Sequence, residues 1–154
     1  MLLKDYIPNI KKIYGDVFFS GVSSNSVKIK RNNIFFAIKG NKFNGNNYID
    51  AAIKKGVKII VSEKKITKKK ENIIFLHSSN VRKLLANVSY KILNYNPKKL
   101  IAVTGTNGKS SIADFFYQIL NLNSKKVASI GTLGVRYKNK QKKLNNTTLD
   151  PINL

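Results

Sequence analysis

The residues best suited to chemistry lie together in Ile101-Ala102-Val103-Thr104-Gly105-Thr106-Asn107-Gly108-Lys109-Ser110-Ser111. An apolar run feeds a glycine-bounded turn, and the turn opens a helical pattern that starts Lys-Ser-Ser. Gly105 and Gly108 permit backbone dihedrals and close approach that a Cβ would block, so amide hydrogens can converge on an anion. The unsatisfied amides and positive dipole end of a helix starting near Lys109 add to that concavity. In such a loop Lys109 reaches the β- and γ-phosphates of a nucleoside triphosphate and the Ser110 hydroxyl ligates Mg²⁺. The general phosphate-loop pattern has a glycine where this chain has Val103, but the Gly-Lys-Ser order and the strand-to-helix context are both present.

The elements that must position this loop alternate between strand and helix. Asp16 to Val22, Ile34 to Ile38, Val57 to Val61 and Ile73 to Leu76 are short apolar runs and predict strands. Asn47 to Lys55 has helical spacing and is stopped by Gly56. Ser78 to Leu93 places Val81, Leu84, Leu85, Val88 and Ile92 on one face, with Ser78 or Ser79 as a cap. Asn94-Tyr95-Asn96-Pro97 breaks that helix, and a domain boundary is expected near residue 97. Beyond it, Leu100 to Thr104 predicts a strand and Lys109 to Leu122 a helix burying Ile112, Phe115, Phe116, Ile119 and Leu120. Lys126 to Ile130 predicts another strand, and Val135 to Thr148 an exposed hairpin. The β, α, β order predicts an α/β fold with a parallel sheet.

Composition removes several classes of chemistry. With no Cys and a single His77 there is no disulfide framework, no thiolate zinc site and little for a His-based triad. No apolar run approaches a membrane span, and Met1 to Tyr6 lacks the basic-then-apolar order of a signal peptide, so a cytoplasmic protein without membrane contact is expected. The net charge of +22 comes from 29 Lys plus Arg against 7 Asp plus Glu. Only Arg31, Arg82 and Arg136 are arginines, whereas phosphate clamps and base readers favour the bidentate Arg fork. The excess Lys, spread among abundant Asn and Ile, fits AT-rich coding better than a specific nucleic-acid interface.

Val103 to Ser110 resembles the ATP-binding loop of the Mur ligases, and three further segments agree in order and spacing. Gly21 to Val27 followed by Asn33 to Gly40 resembles the family's N-terminal stretch, and Asn44 to Ala52 its next motif. Ile130-Gly131-Thr132-Leu133-Gly134 with Asn146-Thr147-Thr148-Leu149-Asp150-Pro151 resembles a further pair. Within the family that pair points to the ligase adding the third amino acid, diaminopimelate or lysine, to UDP-MurNAc-L-Ala-D-Glu in peptidoglycan synthesis. The chain departs from the family pattern at Ser23 and Asn25, where Asp and Arg are usual, and at Leu149, where Pro is usual. Those positions shape the uridine site and the dipeptide loop.

The resemblance implies a small UDP-MurNAc-binding α/β domain over residues 1–97, then the start of a parallel-sheet phosphate-loop ATPase domain over 98–154. It assigns Val22, Ser24, Asn41, Lys42 and Phe43 to the UDP-sugar, and Asn146, Thr147 and Thr148 to the muramyl dipeptide. Gly105, Thr106, Asn107, Gly108, Lys109, Ser110 and Ser111 would bind ATP, with Ser110 on Mg²⁺. In the family, ATP phosphorylates the substrate carboxylate and the amino group of a diamino acid attacks the acyl phosphate. No catalytic set is complete here, since the acidic metal ligands and a modified lysine would lie after Leu154. The expected protein is therefore a monomeric N-terminal third of such a ligase, inactive alone, with residues 98–154 loosely packed or exposing apolar surface. Two other readings stay open: another family member such as MurF or MurD, and a basic nucleic-acid-binding phosphate-loop protein. The latter predicts oligonucleotide binding that falls steeply with salt.

Overall fold

A computed structural model describes residues 1–40, 43–66, 71–93, 97–144 and 152. The chain divides into two compact units, Met1–Asn96 and Pro97–Leu154. In the first unit two short helices, α1 (Leu3–Tyr6) and α2 (Lys12–Gly15), precede strands β1 (Gly21–Ser23) and β2 (Asn33–Ala37). A 3₁₀ turn (Gly45–Tyr48) leads into α3 (Ile49–Lys54), followed by β3 (Ile59–Ser62), β4 (Ile74–His77) and α4 (Val81–Leu93).

The four strands form one parallel sheet in the order β1-β2-β3-β4. A parallel sheet is covered on both faces, so its central strands carry apolar residues at successive positions rather than alternating ones. Accordingly Ile34, Phe35, Phe36 and Ala37 on β2, and Ile59, Ile60 and Val61 on β3, are all buried. Phe35, Ala37 and Ile60 cluster with Ala52 of α3 and with Ile29 and Val57, while Ile49 and Ile53 pack around them. Pleating and register send Ile34, Phe36, Ile59 and Val61 to the opposite face. Val81, Leu85 and Val88 recur at helical spacing and are the buried stripe of α4, which packs against β1 and β2.

Several elements of this unit are shorter than the sequence pattern predicts. Among them is α4, which starts at Val81 rather than Ser78 because Asn80, not Ser78 or Ser79, accepts from Lys83 N–H at 2.8 Å. Of Asp16 to Val22, only Gly21 and Val22 are in β1. Val17 and Phe19 are instead held by the N-terminal segment, with Leu3 N–H donating to the Val17 carbonyl at 3.1 Å and Phe19 N–H to the Met1 carbonyl at 2.9 Å. The helix expected over Asn47 to Lys55 is divided because Asn44 caps the 3₁₀ turn, its side-chain oxygen accepting from Asn46 N–H at 3.1 Å.

The second unit contains α5 (Lys109–Leu122) and strands β5 (Ala128–Gly131), β6 (Gly134–Tyr137) and β7 (Lys140–Lys142). Here the expected parallel pairing is not what forms among the described residues. β5, β6 and β7 make an antiparallel meander, with Ala128 opposite Tyr137 and Val135 opposite Lys142. Lys138 and Asn139 both take positive φ, 45° and 59°, the primed turn that suits a two-residue hairpin. Leu100 to Thr104 is not a strand either; no described residue pairs with it, and strand backbone needs a neighbour to satisfy its amides and carbonyls.

Apolar surface is left open in this unit, as expected. The α5 face predicted to bury Ile112, Phe115, Phe116 and Ile119 is itself exposed, however, because no second layer of described residues covers it. Leu100, Phe115, Ile119 and Leu122 are 86%, 63%, 60% and 82% exposed. What α5 does bury is Tyr117, which packs under Arg136 of β6, the guanidinium lying 4.8 Å from the ring centre. Arg136 also pairs with Asp114 one turn earlier on α5.

Candidate functional site

The loop before α5 has the geometry an anion site requires. Gly105 and Gly108 have φ of +148° and +76°, values that side chains rarely adopt, and Gly108 is the N-cap of α5. No side chain caps that helix start, and no acidic residue stands in its first turn. The amides of Lys109, Ser110 and Ser111 thus have no partner within the helix and lie at its positive end. Gly105 through Ser111 are all exposed. A Cβ placed on Gly108 would meet nothing within 4 Å, so the space over the loop is open to a ligand.

Lys109 occupies this loop in a particular way. Its ammonium donates to the Thr106 carbonyl at 2.9 Å and to the Gly105 carbonyl as well. Ser110 and Ser111 share the first turn of α5. One turn on, Asp114 accepts from the Gln118 amide at 2.6 Å and pairs with Arg136, so its carboxylate is engaged within the fold. Among the described residues no group of three or more His, Asp or Glu converges on a point that could hold a metal. The donor set fits Mg²⁺ only as a phosphate-bound ion with Ser110 as its protein ligand.

Of the other predicted residues, Val22 and Ser24 lie at the carboxyl end of β1 and Phe43 follows β2, the side on which open α/β sheets receive ligands. Val22 lies on β1 and Ser24 immediately follows it, both half-buried. Buried Ser23 turns the chain there: its hydroxyl donates to the Asn25 carbonyl at 3.0 Å and accepts from Asn25 N–H at 3.1 Å. Asn25 continues the turn by accepting from Val27 N–H at 2.7 Å. The two residues that depart from the family pattern are therefore used to fold the loop after β1. Phe43, 70% exposed, follows β2, and its carbonyl accepts from Gly40 N–H at 2.8 Å. Asn41 and Lys42, like Asn146, Thr147 and Thr148, lie outside the described residues.

Sequence reasoning passed over the residues that brace these loops. The Ser62 hydroxyl at the end of β3 donates to the Asn46 side-chain oxygen at 2.8 Å, and Arg82 of α4 donates to the Lys39 carbonyl at 3.3 Å. Gly45 lies against β2 so closely that a Cβ would sit 2.6 Å from the Ile38 nitrogen. The only sequence signal for this bracing is Asn44-Gly45-Asn46 directly before a helical pattern. Among the described residues no helix is long and apolar enough to cross a membrane.

A four-stranded parallel sheet with α3 and α4 packed against it defines an α/β protein. Residues 19–100 match the model of the Mur ligase family, catalytic domain, and residues 103–154 that of the Mur ligase middle domain. The chain belongs to the Mur ligase family. It is similar to the UDP-N-acetylmuramoyl-L-alanyl-D-glutamate–2,6-diaminopimelate ligases of Fusobacterium nucleatum, 31% identical over 145 residues, and Rickettsia felis, 37% over 147. These matches take in 94% and 92% of this chain but 30% and 27% of the relatives, so the chain spans less than a third of their length. A solved structure of a ligase of that same name has the same fold over 99% of this chain and 31% of its own, with TM-score 0.80 and 24% identity. A MurF ligase from Thermotoga maritima in complex with ADP matches 68% of this chain and 23% of its own at TM-score 0.52 and 25% identity.

Proposed function

We propose that this chain binds the UDP-muramyl dipeptide and the ATP phosphates in a cytoplasmic, monomeric ligase. That ligase joins 2,6-diaminopimelate to UDP-MurNAc-L-Ala-D-Glu in peptidoglycan synthesis. The observation that carries the reading is the open, uncapped start of α5 behind Gly105 and Gly108, in a chain whose relatives bear that ligase name. Residues 1–97 serve as the UDP-MurNAc domain and 98–154 as the beginning of the ATP-binding domain. Val22, Ser24, Asn41, Lys42 and Phe43 hold the UDP-sugar, and Asn146, Thr147 and Thr148 hold the dipeptide.

The loop's contribution is positioning and charge neutralisation, the main source of rate in phosphoryl transfer. The amides from Gly105 to Ser111 bind phosphate oxygens, and Lys109 leaves the Thr106 and Gly105 carbonyls to meet them. Ser110 would hold Mg²⁺, which neutralises phosphate charge. A carboxylate of the dipeptide's D-Glu takes the γ-phosphoryl group with ADP leaving; the amine then forms the amide bond, releasing phosphate and a proton.

Calorimetric titration of the full chain with UDP-MurNAc-L-Ala-D-Glu at about 0.15 M salt tests the first half, because screening then acts beyond roughly 8 Å. Saturable binding is expected. A folded chain giving no heat at millimolar ligand overturns the proposal, and binding only to single-stranded oligonucleotide, falling steeply with salt, favours a nucleic-acid role instead.

A further inference from the structure

At the far end of α5 from the phosphate loop, Lys125, Lys126 and Lys138 line one cavity of about 180 Å³ with Asn121, Ser124, Val127 and Tyr137. Three like charges around one cavity repel each other, and no acidic side chain is among the described residues that line it. The sequence from residue 97 onward has two acidic side chains, Asp114 and Asp150. Asp114 is engaged by Arg136 and Gln118, and Asp150 lies outside the described residues.

Lysines near a helix C-terminus ordinarily answer its exposed carbonyls. Here the backbone already does so. Ser124, at φ 56°, donates its N–H to the Asn121 carbonyl at 3.0 Å, and Lys125 N–H donates to the Leu120 carbonyl at 2.9 Å. These are the two bonds of a Schellman cap. Asn123 adds its side-chain amide to the Ile119 carbonyl at 2.8 Å. The negative end of the helix is satisfied without the lysines.

The cavity walls are also tied together. Asn121 donates to the Asn139 side-chain oxygen at 2.8 Å, and Asn139 N–H donates to the Tyr117 hydroxyl at 3.3 Å, fixing the β6–β7 turn to α5. Lys138 lies over the Tyr137 ring at 5.4 Å from its centre. We infer that this cavity is a second anion site, separate from the loop at Gly105 to Ser111, and that it takes a phosphate group. Its ammonium groups would bind a phosphate monoester or inorganic phosphate through charge-assisted hydrogen bonds, with the Ser124 hydroxyl as a further donor. The volume suits a phosphate with part of its hydration shell.

Backbone amide spectra of the full chain, titrated with inorganic phosphate and then with glucose 6-phosphate at about 0.15 M salt, separate this site from the loop. Saturable shifts at Ser124, Lys125, Lys126 and Lys138 are expected whether or not Gly105 to Ser111 respond. A stronger response to the sugar phosphate assigns the site to monoesters, and an equal one to the free ion. In Lys126→Gln/Lys138→Gln the affinity read at Ser124 and Lys125 should fall at least tenfold, about 1.4 kcal/mol, with the loop shifts unchanged. Both lysines are exposed, so the variant keeps its fold, and Lys138→Gln alone supplies a milder second test. Static amides at roughly ten millimolar phosphate, or shifts that the substitutions leave intact, overturn the inference. So does binding confined to oligonucleotide and lost steeply with salt, which would make this a diffuse basic surface.

Discussion

The ammonium of Lys109 donates to the carbonyl of Thr106 at 2.9 Å, three residues back within the same loop. The side chain proposed to meet phosphate therefore rests on the loop's own acceptors, and an arriving anion exchanges one set of partners for a more strongly charged one. Lys109→Ala should weaken ATP binding by roughly 10- to 100-fold, in line with about 1.5–3 kcal/mol for a hydrogen bond to a charged group. Because the resting contacts are exposed, the unfolding midpoint should hardly change. Unaltered ATP affinity would remove Lys109 from the site.

Gly45 and Gly108 are required for different reasons, and alanine at each separates them. A Cβ on Gly45 would lie 2.6 Å from the Ile38 nitrogen and 2.7 Å from its carbonyl oxygen, both rigid backbone atoms. Gly45→Ala should therefore destabilise the chain by about 3 kcal/mol. At Gly108 the Cβ meets nothing, and only the φ of +76° is unfavourable, so Gly108→Ala should cost about 1 kcal/mol. Its larger effect should fall on phosphate binding, because the methyl group enters the open space over the loop. Denaturant unfolding of the two variants side by side reads the contrast.

Ser89 sits on the inner side of α4 at 3% exposure, and its hydroxyl has no hydrogen-bond partner. A buried unpaired hydroxyl opposes folding, and alanine is the better helix former. Ser89→Ala should raise stability by about 1 kcal/mol, seen as a higher urea midpoint at unchanged slope. A lower midpoint would mean that the hydroxyl has a partner in solution.

The Lys4 ammonium donates to the Asp16 carboxylate at 2.6 Å, and this bond together with the carboxylate's charge raises the Lys4 pKa above its ordinary 10.5. A raised pKa in the folded state means the pair's stabilisation is fully present below 10.5 and is lost as pH climbs through the folded value. Both side chains are largely exposed, so the effect is small and weakens further with salt. Asp16→Asn should lower the Lys4 titration midpoint measured by NMR and remove its share of the alkaline loss in stability. An unmoved midpoint would show that the pair does not persist in solution.

Local pattern was enough to place α5 at Lys109–Leu122, to select Val81, Leu85 and Val88 as the buried face of α4, and to locate β2, β3 and β4 within two residues. Helical periodicity and continuous apolar runs are properties of neighbouring residues, so the sequence by itself carries them. The glycine-bounded turn before Lys109 was legible for the same reason, since a demand for positive φ is met by residue type. Tertiary structure alone decided that Val17 and Phe19 would bond to the N-terminal segment, that β5 would pair with β6 in antiparallel fashion, and that Leu100 to Thr104 would have no strand neighbour among the described residues. It also decided the pairing of Asp114 with Arg136 and the bracing of Asn46 by Ser62. A strand or a buried polar group is defined by a hydrogen-bond partner many residues away, and no local spacing specifies which distant residue will supply it.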